Sequence, residues 1–346
     1  MALDAGKAFT FAWRNARKVP EPVLRGLFSA IADVTWLLHG GGVRQLERNL
    51  ARVRPDLTPR ALRRLSRAGM RSYMRYYREA FTLPAWTPER VRARVRVVGL
   101  DNLASHLDGD RSPVLALSHQ GNWDLAGAYA TPNIAPVLTV AERLKPDELF
   151  EEFLAFRNSI GLEILALGDG DVFRDLVRGA SRPGKIIPLL ADRDLTHRGV
   201  EVDLFGHRAR VAAGPAALAV STGTPLVPAG IHYERLRGAR RRAAGSPWGL
   251  VIRFFPRVDI VQDVPRSEQV ARATQGWVDA LSVAIREHPE DWHMLQKVFV
   301  DDLDPARYAR TRCTGPGPHH RRASGSPARA CRRRRGRARR PRAPGP

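Results

Sequence analysis

Ser118-His119-Gln120-Gly121-Asn122-Trp123-Asp124 follows the short apolar run Pro113-Val114-Leu115-Ala116-Leu117, and its reading decides the fold. A β-type run that stops at a histidine, then reaches a glycine and an aspartate, predicts a strand turning into a helix. Such a turn holds His119 and Asp124 at the carboxyl end of a strand, where open α/β sheets bind their ligands. Histidine takes up a proton near neutral pH. A carboxylate on its other ring nitrogen fixes the tautomer and stabilises the imidazolium, so the pair suits general-base activation of a hydroxyl. The same residues also suit a structural turn in which the histidine is satisfied locally and the aspartate caps the helix.

Outward from this stretch, strand and helix patterns alternate. Strands are predicted over 95–98, 114–117, 137–140, 162–165, 186–191, 200–205, 226–231 and 250–255, and helices over 123–129, 146–159, 171–179, 214–222 and 267–287. This alternation predicts an α/β core, residues 93–311, around a central and largely parallel β-sheet flanked by helices. Before it, residues 1–92 read as a helical segment punctuated by Pro20, Pro22, Gly40 to Gly42 and Pro55. Within that segment Val23, Leu24, Leu27, Phe28, Ile31, Val34, Trp36, Leu37 and Leu38 form a broad apolar face, suited to core packing or to membrane and acyl-chain contact.

The last stretch, 312–346, is a different material: 12 arginines, no acidic residue, and mostly Gly, Pro, Ala and Ser between them. It cannot bury enough apolar surface to offset the cost of ordering, which predicts a disordered basic tail. The tail also distorts the charge. The whole chain carries +22, but without the tail 45 basic residues face 35 acidic ones, or +10. Residues 43–96 alone hold 15 arginines against four acids. A basic helical segment with Tyr73, Tyr76, Tyr77, Phe81 and Trp86 suits an anionic membrane surface; solvated helix faces give the same pattern.

Several classes are disfavoured. Both cysteines, Cys313 and Cys331, lie in the tail, so the core has no disulfide framework or thiol metal site. No stretch approaches the roughly 20 apolar residues that span a bilayer, and no cleavable signal is recognisable, which places the protein on the cytoplasmic side as a peripheral protein. GxGxxG, GxxxxGK[ST] and GxSxG motifs are all missing, and no cluster has metal-ligand spacing, so neither metal nor cofactor is expected. A basic nucleic-acid-binding protein remains an alternative, supported mainly by the tail; no RNA- or DNA-reading motif accompanies it.

Polar residues gather where a strand-end site would be: Glu142, Asp192-Arg193-Asp194, Glu201, Asp203 and His207, with Arg157 and Asn158 ending a helix. Taken singly, each suits a surface ion pair.

His119-Gln-Gly-Asn-Trp-Asp124 resembles the HxxxxD/E signature of glycerolipid-type acyltransferases, in the branch of bacterial lipid A late acyltransferases and phosphatidylinositol mannoside acyltransferases. The blocks Ala141-Glu142-Arg143-Leu144, Phe156-Arg157-Asn158-Ser159, Ala191-Asp192-Arg193-Asp194-Leu195, Val202-Asp203-Leu204-Phe205-Gly206, Ala213-Gly214-Pro215 and His288-Pro289-Glu290-Asp291-Trp292-His293 are similar to that branch in order and spacing. The resemblance spans roughly residues 8 to 305, and the mannoside enzymes are the nearer match. It implies direct transfer of a palmitoyl group from acyl-CoA to a mannose hydroxyl of a phosphatidylinositol mannoside. A lipid A-type or other glycolipid acceptor is the alternative, and a catalytically dead lipid-binding homologue a further one. The resemblance makes His119 the general base, supported by Asp124, with Arg157 on Asp124 or on a polar ligand group. Glu201 is the favoured proton-relay partner. Glu142, Asp192, Arg193 and Asp194 are assigned to the substrate-binding surround.

Overall fold

Proline and glycine cut the N-terminal third where their positions predict. In a computed structural model describing residues 15–143, 147–167, 171–194, 199–305 and 308–309, three helices occupy this part. These are α1 (Glu21–Leu38), α2 (Gly41–Val53) and α3 (Pro59–Thr82). The Thr58 side chain caps α3 by accepting from the Ala61 amide, with Pro59 in the first helical position. The chain divides into two units, Met1–Leu303, which holds every element named here, and Asp304–Pro346, in which the arginine-rich tail falls outside the described residues.

α1 is apolar on two sides. Leu24, Phe28 and Ala32 are buried, while Val23, Leu27, Val34 and Leu38 are 58, 52, 54 and 77% exposed. Many arginines of the basic stretch are paired with carboxylates of the fold. Arg67 and Arg71 both pair with Asp33 of α1, Arg63 with Glu47, Arg52 with Asp302, and Arg78, Arg90 and Arg94 converge on Glu21.

Strands and helices then alternate: α4 (Pro88–Arg94), β1 (Val95–Val98), α5 (Asp101–Ala104), β2 (Val114–Leu117), α6 (Trp123–Asn133), β3 (Val137–Ala141), α7 (Asp147–Ser159), β4 (Leu162–Ala166), α8 (Val172–Ala180) and β5 (Ile187–Leu190). They are followed by β6 (Val200–Leu204), β7 (His207–Val211), α9 (Gly214–Thr222), β8 (Leu226–Arg235), α10 (Gly238–Ala244), β9 (Trp248–Phe254) and α11 (Arg266–Glu287).

The central sheet has the order β1-β9-β8-β2-β5. All its pairs are parallel except β8 with β9, which bears out the largely parallel α/β reading. β3 and β4 form a parallel pair that reaches β5 through a bridge between Val137 and Ile186. Every residue of β2 is buried, as befits a strand covered on both faces. Leu115 and Leu117 pack in one layer with Leu125 and Ala130 of α6. Val114 and Ala116 pack in the other with Trp277, Leu281 and Ile285 of α11.

The short helices α5 and α10 fall outside the pattern reading, and two strands also depart from it. β7 is an unexpected strand, joined to β6 by Phe205-Gly206, both at positive φ (60° and 81°) in a two-residue hairpin turn. Phenylalanine rarely adopts that conformation, so its sequence gives little turn signal. β8 continues past the expected end at residue 231 because its antiparallel ladder with β9 extends to Arg235 opposite Trp248.

Candidate active site

Strand register builds the site. β2 and β5 run parallel with Leu117 opposite Leu190, so His119 and Asp192, each two residues further on, emerge side by side. His119 Nδ1 lies 2.5 Å from Asp192 Oδ1, and the His119 amide donates to Oδ2 at 2.9 Å. The Trp292 indole N–H donates to the same Oδ2 at 2.8 Å. Burial pushes the Asp192 carboxyl up, but the electrostatic pull of the His119 ring and the hydrogen bonds from His119 and Trp292 outweigh it and hold the group below the usual carboxylate range. An anionic carboxylate only accepts, so Nδ1 carries the proton and Nε2 is left as the basic nitrogen of a ring that lines a cavity.

The partner on the His119 ring is therefore Asp192, rather than Asp124 or Glu201. Asp124, 1% exposed, accepts from the Tyr76 hydroxyl at 2.8 Å and from Arg157 Nε at 2.9 Å. This fulfils one of the two contacts expected of Arg157. Burial draws the Arg157 guanidinium down, and Asp124 and Tyr76 more than restore it. Glu201 faces outward because Val202 and Leu204 of the same strand are buried and side chains alternate. It pairs with Arg208 and, at 3.7 Å, with Arg210, and it does not line the cavity. Glu142 and Arg193 do line the cavity, pairing with each other at 3.4 Å. Asp194 lies off its wall, accepting from Arg210 at 3.2 Å and from the Gly199 amide at 3.1 Å.

The turn after β2 is held from several sides. Gly121 has φ +63°, and a Cβ there would come within 2.8 Å of the Ile231 carbonyl oxygen, so only glycine fits. Its amide donates to the Asp291 carbonyl at 2.9 Å, and the His293 amide donates to the His119 carbonyl at 2.8 Å. The Asn122 side chain caps α6 by accepting from the Leu125 amide. Ser72 of α3 donates to Asp291 Oδ1 at 2.5 Å and meets His293 Nε2 at 3.0 Å. With its hydroxyl donating to Asp291, Ser72 accepts from His293, whose Nδ1 is then an acceptor with no partner among the described residues. Burial, with Arg75 and His119 nearby, pulls the His293 pKa down to about 3, so the ring is neutral. As site residues, Tyr76, Trp292 and His293 escaped the sequence reading; Tyr76, read there with the membrane-suited segment, is buried against Asp124 instead. Trp292 and His293 stand in the quoted 288–293 block, which marked the segment without showing what it touches.

The cavity measures about 1070 Å³. His119, Asp124, Glu142, Arg157, Arg193 and His293 contribute to its polar part, and Leu115, Leu117, Val137, Ile186, Ile252 and Phe254 to much of its apolar wall. Ala126, Gly127 and Ala130 of α6 also line it, and their small side chains leave room beside the sheet. One cluster modifies the expectation about metals. His288, Glu290 and Asp291 bring potential ligand atoms within 4.8 Å of one another. Both Asp291 oxygens already accept, from Ser72 and from the Tyr233 amide at 2.7 Å, so the cluster serves as a polar support of the turn.

A histidine facing a largely apolar cavity, with no serine or cysteine among the described lining residues, suits passage of an apolar acyl group straight to a hydroxyl. The protein is an acyltransferase. It belongs to the bacterial lipid A biosynthesis acyltransferase family, whose pattern matches residues 6–300. A phosphatidylinositol mannoside acyltransferase of Mycolicibacterium smegmatis is 40% identical over 304 residues, 87% of this chain and 93% of that protein. One from Mycobacterium tuberculosis is 38% identical over 312 residues, covering 88% of this chain and 92% of that protein. The crystal structure of the 1-acyl-sn-glycerophosphate acyltransferase PlsC from Thermotoga maritima aligns with a TM-score of 0.32 and 15% identity, over 77% of this chain and 95% of that one.

Proposed function

We propose that this acyltransferase moves a palmitoyl group from acyl-CoA to the 6-hydroxyl of the mannose on position 2 of inositol in a phosphatidylinositol mono- or dimannoside. The His119–Asp192 dyad carries the reading. His119 Nε2 takes the hydroxyl proton as the oxygen attacks the thioester carbonyl. The tetrahedral adduct collapses to the new ester, expelling the CoA sulfur, which receives that proton from the imidazolium. Asp192 stabilises the imidazolium and fixes the ring, as a carboxylate does behind any histidine base. The apolar cavity suits the acyl chain, and Glu142, Arg157, Arg193 and His293 offer polar contacts to the sugar or to the donor. The acceptor assignment draws on the activity for which the two mycobacterial relatives are named.

The outward apolar side of α1 suits contact with the anionic inner leaflet that holds such an acceptor. No helix among the described residues is long and apolar enough to cross a membrane. Because so many arginines of the basic segment are paired internally, burial of Leu27, Ile31 and Val34 would dominate this contact over charge. Leu27→Glu with Ile31→Glu should lower sedimentation with anionic vesicles about tenfold while leaving the melting temperature unchanged. Binding as tight as wild type would remove α1 from the membrane contact.

Transfer is tested with radiolabelled palmitoyl-CoA and purified mono- and dimannosides, comparing wild type with His119→Ala. Loss of a general base should lower turnover about 10²–10⁴-fold in a folded protein. Transfer only to a different glycolipid would replace the acceptor. Neither labelled lipid nor CoA release, across several glycolipids, would overturn the donor assignment.

A further inference from the structure

Glu79 of α3 is a buried carboxylate, 1% exposed, that faces the turn carrying His119 without lining the cavity. Its two oxygens serve different partners. Oε1 accepts from Arg94 Nη1 at 3.0 Å and from Arg78 Nη2 at 3.2 Å, which neutralise it. Oε2 accepts from the Asn122 amide at 3.0 Å and from the Tyr233 hydroxyl at 3.0 Å. Asn122 thus spends its oxygen on the cap of α6, accepting from the Leu125 amide at 2.9 Å, and its NH2 on Glu79. Because Glu79 only accepts, it fixes which way the Asn122 amide points, and with it the cap.

Glu79 is one of three polar residues on a single stripe of α3. Ser72, Tyr76 and Glu79 stand at i, i+4 and i+7, the spacing that shares a helix face. Ser72 holds Asp291 and His293, Tyr76 holds Asp124, and Glu79 holds Asn122. The first turn of α6 also bears Trp123, whose ring stands edge-on to His119 at 5.5 Å and lies 4.2 Å from that of Tyr76. A change at the cap therefore passes to Trp123, the ring that stands beside His119, and through it to Tyr76.

We propose that Glu79 is a positioning residue for acyl transfer: through the Asn122 amide it sets the start of α6, and so where His119 Nε2 meets the acceptor hydroxyl. The inference rests on the acyltransfer reading above. A buried carboxylate bound to two cations could serve stability alone, so the test must separate the link to the turn from the rest of the network. Asn122→Ser does so. Serine caps a helix about as well as asparagine but has no second polar group to reach Glu79. Tyr233→Phe is its counterpart, removing a hydrogen bond to the same Glu79 oxygen from the sheet side and leaving the turn alone.

The experiment measures kcat and the KM for palmitoyl-CoA in the labelled-lipid assay, with melting temperatures. Asn122→Ser should lower kcat about tenfold or more, because displacements of about 1 Å at a reacting group cost up to about 10²-fold. KM should stay within about twofold, and Tyr233→Phe should keep wild-type kcat. Adding Glu79→Gln to Asn122→Ser should cost little further kcat, since both cut the same link. Unchanged kcat in Asn122→Ser would overturn the proposal. So would equal kcat losses in Asn122→Ser and Tyr233→Phe, which would make Glu79 a general support of the fold. A wild type that transfers no label sinks the acyltransfer reading first and this inference with it, an outcome visible before any variant is made.

Discussion

Asp192 and Glu201 look alike in sequence, both carboxylates at the edge of a β-run, and their surroundings are opposite. Asp192 leaves β5 into a buried corner, where three N–H groups from His119 and Trp292 meet its two oxygens. Glu201 sits on the outward side of the β6–β7 hairpin, paired with arginines of its own hairpin. The difference teaches what equips a carboxylate to support a histidine. Inside, each hydrogen bond is strengthened by the low dielectric and fixes a geometry. Outside, solvent screens the pair and leaves it about 0–1 kcal/mol.

The strongest way to break this comparison is Asp192→Asn. An amide cannot both accept from Nδ1 and stabilise an imidazolium, and it invites the wrong tautomer. Turnover should fall about 10²–10³-fold, with KM for acyl-CoA little changed and the protein folded. Retained turnover would detach Asp192 from the chemistry and reopen the question of which carboxylate serves His119.

Acid stability sharpens the same contrast. Burial pulls His293 down to about 3 and lifts Asp291 to about 6. An unfolded histidine titrates at about 6.5. As pH falls from about 6.5 toward 3, the unfolded chain takes up a proton at residue 293 that the folded protein refuses. The stabilisation is thus complete above 6.5 and lost on acidification. Asp291 works the other way in a narrower window, since between about 6 and 3.8 the folded protein holds a proton that the unfolded chain releases. His232, pulled down to about 4 mainly by burial, adds to the His293 effect. The melting temperature should therefore drop by several degrees between pH 7 and pH 4.5, and His293→Gln should make that slope shallower. An unchanged slope would show that His293 is not buried neutral.

Much of the fold was legible because it rests on local signals. The apolar run before His119, the prolines and glycines between the N-terminal helices, and the β–α alternation all register within a few residues. The candidate base was legible too, being part of a motif. Its partner was not. Asp192 meets His119 only because Leu117 pairs with Leu190, and no local pattern encodes the register of two parallel strands separated by about seventy residues. Asp124, five positions from His119, was the obvious local choice, yet the turn into α6 carries it away toward Tyr76 and Arg157. The outward direction of Glu201 was closer to view. Val202 and Leu204 alternate with it, a strand pattern that already argues for a solvent-facing residue.

That alternation supports the smallest expected effect, and the one most informative about the comparison. Glu201→Gln removes a charge from an exposed pair and leaves the hairpin ladder intact, since Glu201 lies opposite Arg210 through backbone pairing. Arg210 keeps its contacts with Asp194 and the Gly199 carbonyl, so no buried cation loses its last partner. Turnover should change by less than about twofold, and stability by no more than about 1 kcal/mol. A loss comparable to that of Asp192→Asn would mean that the hairpin swings toward the cavity when substrate binds and brings Glu201 to the acceptor sugar. In that event a paired measurement decides between its two possible roles. A rise in KM for the mannoside at constant kcat would make Glu201 a sugar ligand, whereas a fall in kcat at constant KM would place it in the proton relay beside Asp192.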